Sequence, residues 1–153
     1  MRAISDLLDV NVWLAFCAEG HPHHAAALRA WGELHRPSFC RITHLGLMRL
    51  LCNRQVMGSQ VFEPETAWEE CEKLLAKGVV GFVDEPACLK ANLGALTLGA
   101  RAARDFWTDA YLAAFAQSAG MRLVTFDAGF TRFRGLACLI LHPQTSLPKA
   151  YSS

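Results

Sequence analysis

The sequence predicts an α/β domain, a central parallel sheet flanked by helices. Short apolar runs of strand length alternate with longer segments of helical periodicity, and that alternation builds parallel sheets through crossover helices. Glycines stand where two helical patterns stop, at Gly78 and Gly120. The chain has 153 residues, 52% of them hydrophobic and 19% charged, which suits one core and is too short for two ordinary domains.

The elements follow in order. Ile4–Val10 is an apolar run interrupted by Asp6 and carrying Asp9 near its end, and it reads as a buried first strand. Asn11–Ala18 reads as one or two helical turns. His21-Pro22-His23-His24 opens the next helix, with Pro near the first position, where a missing N–H costs nothing, and Ala25, Leu28, Trp31 and Leu34 repeat at helical spacing. Pro37–Arg41 is short and strand-like. Thr43 is placed to cap a helix running to about Asn53, with Leu47, Leu50 and Leu51 facing the core. After a turn around Gly58, Glu63-Pro64-Glu65-Thr66 starts a helix with an acidic first turn, and Lys73 and Lys77 lie near its end, the charge order that a helix dipole favours. Val79–Val83 reads as a strand, Pro86–Leu98 as a short helix with loops, and Arg101–Ala119 as a long helix stopped by Gly120. Arg122–Thr125 and Ala137–Leu141 complete the strands. One domain over residues 1–142 and a Pro-containing tail over 143–153 account for the chain, with no repeat, low-complexity block or linker.

Charge narrows the partners. Eleven Arg and four Lys stand against six Asp and eight Glu, a formal net charge of +1. That balance excludes a polybasic tail holding nucleic acid by charge alone, but not a local arginine surface. No stretch approaches the roughly 18 continuous apolar residues of a membrane helix. Asp6 comes too early for a signal-peptide apolar region, so the expected location is the cytoplasm. Six cysteines (Cys17, Cys40, Cys52, Cys71, Cys88, Cys138) are scattered without a Cys-x-x-Cys pair, which disfavours zinc and marks most of them as small core residues.

Three aspartates stand apart by position. Asp9 ends the first apolar run, Asp127 ends Leu123-Val124-Thr125-Phe126, and Asp109 lies within the helical Phe106-Trp107-Thr108-Asp109-Ala110-Tyr111. Singly, an aspartate after a strand is usually a turn or helix cap. Together, at strand ends where open parallel sheets bind ligands, and beside Asn11, Thr108 and Thr125, they point to a divalent cation held by oxygen. Clustered carboxylates raise one another's pKa unless a cation neutralises them. Mg²⁺ or Mn²⁺ does so while keeping waters for chemistry. The absence of a Ser–His or Cys–His signature favours water attack on a phosphodiester over acyl transfer.

These motifs resemble PIN-domain proteins. They are Leu7-Leu8-Asp9-Val10-Asn11, Arg41-Ile42-Thr43-His44, Trp107-Thr108-Asp109-Ala110-Tyr111 and Leu123-Val124-Thr125-Phe126-Asp127-Ala128-Gly129-Phe130. The chain looks most like the VapC-type toxins of bacterial toxin–antitoxin modules, over roughly Leu7 to Leu141. The resemblance implies a metal-dependent endoribonuclease silenced by a cognate antitoxin, and a homodimer. It makes Asp9, Asp109 and Asp127 the metal-binding, catalytic carboxylates, with Asn11 and Thr125 in support. One departure stands out. The family commonly has a further acid on the helix after the second strand, and Thr43–Arg49 holds no carboxylate. His44 is the nearest replacement, as ligand or as partner of a metal water, although a histidine at a helix start is expected to face solvent or RNA. Asp105, four residues before Asp109 on the same helix face, is a second way to restore charge, and otherwise a partner for Arg101 or Arg104.

Arg49, Arg104 and Trp107 are the candidate substrate contacts, Trp107 by stacking a base. Arg41, Arg101, Arg132 and Arg134 are further phosphate candidates, though singly such residues are more often solvated. The His21-Pro22-His23-His24 cluster is better explained as a solvated cap region than as a metal site. All four tryptophans, Trp13, Trp31, Trp68 and Trp107, are first expected in the core or an interface. The missing acid motivates a second reading, a PIN module that binds RNA or an antitoxin without cutting. A phosphatase wants an Asp two residues after its nucleophile, where Asn11 stands. A receiver domain wants a late strand-end Lys, and after Lys90 only Lys149 remains. On the favoured reading the aspartates gather in one pocket and the arginines form an RNA-facing rim.

Overall fold

The computed structural model describes residues 4–143. Its strands are β1 (Asp6–Leu8), β2 (Ser38–Phe39), β3 (Gly81–Phe82), β4 (Arg122–Thr125) and β5 (Cys138–Ile140). All pair in parallel, in the order β3-β2-β1-β4-β5. The helices are α1 (Val10–Cys17), α2 (His24–Trp31), α3 (Arg41–Leu51), α4 (Arg54–Met57), α5 (Pro64–Ala76), α6 (Leu89–Leu96) and α7 (Phe106–Ala119). The expected α/β architecture is therefore the observed one. The expected tail lies outside the described residues from residue 144 onward.

The two central strands sort the core by alternation. Leu7 pairs with Leu123 and Leu8 with Val124, all fully buried. Successive side chains on a strand point to opposite faces, so each pair feeds a different layer. Leu7 and Leu123 pack with Phe115 of α7 and with Phe130. Leu8 and Val124 pack with Trp13 of α1, Phe39 of β2 and Leu47 of α3. Trp13 stacks on Phe39 at 3.9 Å between ring centroids. α3 approaches the start of α1 closely at Gly46, where a Cβ would meet Val10 Cγ2 at 2.7 Å. A larger residue there would push α3 and α1 apart.

Several boundaries differ from the sequence reading, for identifiable reasons. The first strand is Asp6–Leu8, because Asp9 caps α1 by accepting from Val10 N at 2.7 Å, and Val10 is already helical. α2 starts at His24, leaving Pro22 in the preceding turn; its buried residues are Ala26 and Ala27, while Leu28 is exposed. The Pro37–Arg41 strand shrinks to Ser38–Phe39 because Arg41 opens α3. The cap of α3 is Cys40 rather than Thr43; Thr43 sits three residues on, and its hydroxyl accepts from Cys40 N at 3.0 Å. Leu50 of that helix is only partly buried. The long helix begins at Phe106, since residues 101–105 form no helix, and it ends as expected at Gly120, which adopts the left-handed conformation with φ 65°. The strand expected over Val79–Val83 is Gly81–Phe82, with Val79 exposed, and the helix within Pro86–Leu98 is Leu89–Leu96. The last strand is Cys138–Ile140. Of the cysteines, Cys40 and Cys71 are buried, Cys17, Cys52 and Cys138 are half-buried, and Cys88 is exposed.

Asp6, an interruption in the apolar pattern of the first strand, anchors the amino end of the sheet. It is fully buried, takes a two-pronged bond from Arg122 (Nε 2.8 Å, Nη2 2.9 Å) and accepts from His35 N at 2.7 Å. The pair ties β1 to β4 across 116 residues of chain. Arg122→Ala is expected to cost about 3 kcal/mol in urea denaturation, because it leaves a buried carboxylate short of its cation. Arg122→Lys should cost less, since it keeps the charge and loses the fork.

Candidate active site

The strand order places the site. Chain order reverses between β1 and β4, and the carboxyl ends of two such strands frame a crevice outside the sheet. Asp9 follows β1, and Asp127 stands two residues beyond the end of β4. α7, the helix leading into β4, brings Asp109 in its first turn to the same edge.

Each carboxylate is aimed by a donor of this chain. Asp9 is 9% exposed; its Oδ1 accepts from Val10 N and its Oδ2 from the Thr125 hydroxyl at 2.8 Å. Thr125 is fully buried, and its Oγ1 in turn accepts from Asp127 N at 3.0 Å. One hydroxyl thus sets both strand-end aspartates. Asp127 Oδ1 caps a 3-10 turn, Ala128–Arg132, by accepting from Gly129 N at 2.7 Å. From that turn Arg132 Nη2 donates to Asp109 Oδ2 at 2.8 Å, while its Nη1 donates to Gly129 O at 2.7 Å. The guanidinium also lies 4.5 Å from the Phe133 ring centroid.

The electrostatics follow from this crowding. Burial pushes the Asp9 carboxyl above the usual range, against the hydrogen bonds from Thr125 and Val10, and the charges of Asp109 and Asp127 push it further. Burial also raises Asp109; Arg132 opposes the shift, and Asp127 and Asp105 add to it. Three interacting carboxylates with oxygen donors suit a hard divalent cation, which would relieve their repulsion. The fit is one of donor chemistry. Among the described residues no three His, Cys, Asp or Glu side chains are drawn together closely enough to hold an ion, and Arg132 engages Asp109 instead.

The other sequence candidates divide. Asn11 is exposed in the first turn of α1. Asp105 is exposed at the cap position of α7, reaches Asp109 by its charge, and pairs with neither Arg101 nor Arg104. Arg49 is exposed in the last turn of α3, and Arg104 is exposed before α7. Trp107 is 65% exposed and so lies outside the core of this chain, and it touches Phe106 edge-on. Trp68 is likewise exposed, while Trp13 is buried. Among the arginines, Arg132 pairs with Asp109 while remaining 42% exposed.

His44 overturns its expectation. It is 1% exposed and faces neither solvent nor RNA. Its ring meets the edges or faces of Phe39, Trp68 and Phe82 at 5.7–5.8 Å. Nδ1 lies 3.2 Å from Arg41 Nη1, and Nε2 is buried without a hydrogen-bond partner among the described residues. Burial and the Arg41 charge hold its pKa below the ordinary histidine value. The residues before it, Cys40 and Thr43, seat the first turn of α3 deeply enough to carry His44 into the aromatic layer.

Sequence reasoning passed over Glu85 and Tyr111. The Tyr111 hydroxyl donates to Glu85 Oε2 at 3.0 Å, tying α7 to the segment after β3. The signal was present, since Asp84 and Glu85 follow an apolar run as Asp9 and Asp127 do.

A sequence model of the PIN domain matches residues 7–136. Ribonuclease VapC41 of Mycobacterium tuberculosis is 39% identical over 146 residues, spanning 88% of this chain and 97% of that protein. Ribonuclease VapC38 of the same species is 33% identical over 126 residues, spanning 80% and 85%. Among solved structures, VapBC2 from Rickettsia felis bound to a promoter DNA fragment superposes with a TM-score of 0.65 at 15% identity, covering 91% of this chain and 100% of that one. VapC20 of M. tuberculosis, described as a sarcin-ricin loop cleaving toxin, gives 0.60 at 16%, covering 83% and 93%. At those identities the structures speak for the fold. The chain belongs to the PIN-domain family, in its VapC ribonuclease branch.

Two measurements check this geometry. Thr125→Val removes the hydroxyl shared by Asp9 and Asp127, and carboxylate NMR titration is expected to show the Asp9 pKa rising further. His44 should make stability fall as pH drops from about 7 toward 5. Its folded pKa is depressed, so below the ordinary histidine value the unfolded chain takes a proton that the folded chain resists. His44→Phe is expected to flatten that slope, leaving the part due to His21, which burial, His23 and His24 also hold low.

Proposed function

We propose that this chain is a metal-dependent endoribonuclease, the toxin of a type II toxin–antitoxin module, and that Asp9, Asp109 and Asp127 are its metal-binding and catalytic carboxylates. What supports the reading is that the three stand on elements meeting at the carboxyl edge of the strand-order reversal and act on one another through their charges, on a chain whose full-length relatives are ribonucleases. Mg²⁺ or Mn²⁺ bound there would supply a water of lowered pKa and neutralise charge at the scissile phosphate. The chain's own part is positional. Val10 N and the Thr125 hydroxyl fix both oxygens of Asp9, so the anchoring carboxylate has no rotameric freedom to lose on binding. Gly129 N orients Asp127, and Arg132 orients Asp109. Asn11 and Thr125 are the supporting polar groups. Arg49, Arg104 and Trp107 stand exposed for contact with RNA.

The second reading, a PIN module that binds RNA or an antitoxin without cutting, has specific support. α3 offers no fourth carboxylate, His44 is turned into the core, and Arg132 engages Asp109. A cognate antitoxin is the expected partner, as in the structures of related fold solved as toxin–antitoxin complexes. A homodimer is the expected assembly, and exposed Ile42 and Leu45 of α3 and Trp68 of α5 offer it apolar surface. The expected location is the cytoplasm. Among the described residues no helix is long and apolar enough to cross a membrane.

The deciding experiment incubates the pure, antitoxin-free chain with total RNA and Mn²⁺. New RNA ends are expected, and Asp9→Asn should reduce their yield by at least about a hundredfold. A chain that binds RNA, takes no Mn²⁺ and cuts nothing would establish the second reading instead.

A further inference from the structure

Beside the three carboxylates runs a groove of about 480 Å³ between the segment joining α6 to α7 and the turn after β4. Its floor is the buried rings of Phe106 and Phe133. Leu98, 83% exposed, and Ala103 form its outer wall. Among the described residues Arg101 and Arg132 are its only charged lining, so it holds two guanidinium groups and no carboxylate. Arg132 belongs to both places, lining the groove while its Nη2 bonds Asp109 Oδ2. The groove is therefore continuous with the candidate active site through one side chain.

We propose that this groove is a nucleobase pocket, which takes one unstacked base of a single-stranded RNA segment next to the phosphate presented at the carboxylates. The inference rests on the ribonuclease reading and adds to it a recognition subsite. The chemistry fits in three ways. The volume admits a nucleoside. Leu98 and Leu96, over the buried edges of Phe106 and Phe133, offer an apolar surface on which a base packs with little regard to hydrogen-bond pattern. Arg101, exposed and without an ion pair among the described residues, is the guanidinium available to a phosphate flanking the base, since both terminal nitrogens of Arg132 are already bonded to Asp109 and Gly129 O. Arg132 fixes the distance between base and cleavage centre, because its anchoring on Gly129 O and the Phe133 face holds its guanidinium in place. A larger cavity of about 740 Å³ near Arg36 and Gly120 lacks this continuity, lying toward the end of the sheet anchored by Asp6.

The test uses the full chain without added metal. Backbone amide NMR is followed during titration with the four nucleoside 5′-monophosphates and, as a base-less control, ribose 5-phosphate. The mononucleotides are expected to shift Leu98, Ala103, Phe106 and Phe133, and ribose 5-phosphate to leave the Phe106 and Phe133 amides in place. Ala103→Phe fills the groove from an exposed loop position; it should abolish the mononucleotide shifts and weaken binding of a 2′-O-methyl RNA oligonucleotide about tenfold. Groove resonances that respond to no nucleotide, or equally to ribose 5-phosphate, overturn the pocket, as does undiminished oligonucleotide binding by Ala103→Phe. A groove that answers only to an apolar peptide would assign it to a protein partner and likewise overturn the proposal. Failure of the ribonuclease reading is separate, because it shows as a wild-type chain that cuts no RNA with Mn²⁺ whatever the groove binds.

Discussion

The hydrogen bond from Thr125 to Asp9 is the contact on which the site depends. It joins the ends of two neighbouring parallel strands that are 116 residues apart in the chain. It satisfies a carboxylate that burial would otherwise drive toward its neutral form, and the same hydroxyl receives Asp127 N. A buried ionisable group without such partners is costly, so the sheet register, the entry to α1 and the turn after β4 must all agree with this one bond. At the opposite end of the same strand pair, Asp6 and Arg122 make the complementary lock. Between the two, β1 and β4 have little freedom to slip.

The acidic edge and the basic groove are joined rather than merely adjacent. Asp127 caps the turn that carries Arg132, and Arg132 holds Asp109. Charge in this region is organised as a chain of donors and acceptors that ends in a cation facing an apolar cleft. The near-zero net charge of the molecule conceals that organisation. Of the six aspartates, Asp9, Asp105, Asp109 and Asp127 lie at one edge, while Asp6 is consumed in the ion pair at the other.

The departure on α3 has a structural meaning of its own. Where relatives are expected to carry an acid, this chain turns an imidazole into an aromatic box formed by Phe39, Trp68 and Phe82, with Arg41 resting on Phe82. Burial and the Arg41 charge hold the pKa of that imidazole below the ordinary value, and a histidine in either protonation state supplies no negative charge to the site. On the proposed reading the site relies on the three aspartates, and the charge of Asp105 acts on Asp109.

Much of this architecture is legible in local chemistry. The alternation of apolar runs and helical periodicity, Gly120 as a helix stop, and the span Arg122–Thr125 are properties of short segments, and they read correctly. The three aspartates are conspicuous because each follows or interrupts an apolar pattern. Boundaries shift where a side chain reaches out of its own segment. Asp9 ends β1 early by capping α1, and Cys40 displaces Thr43 as a cap. Partnerships are decided only by the tertiary structure. Arg132 with Asp109, Arg122 with Asp6, Thr125 with Asp9 and the burial of His44 join residues from different elements. No local pattern encodes which of eleven arginines will meet which aspartate. The sequence by itself determined the fold class and singled out the acids of the proposed site. The order of strands in the sheet decided how those acids are aimed and what lies beside them, because only packing brings distant donors within hydrogen-bond reach.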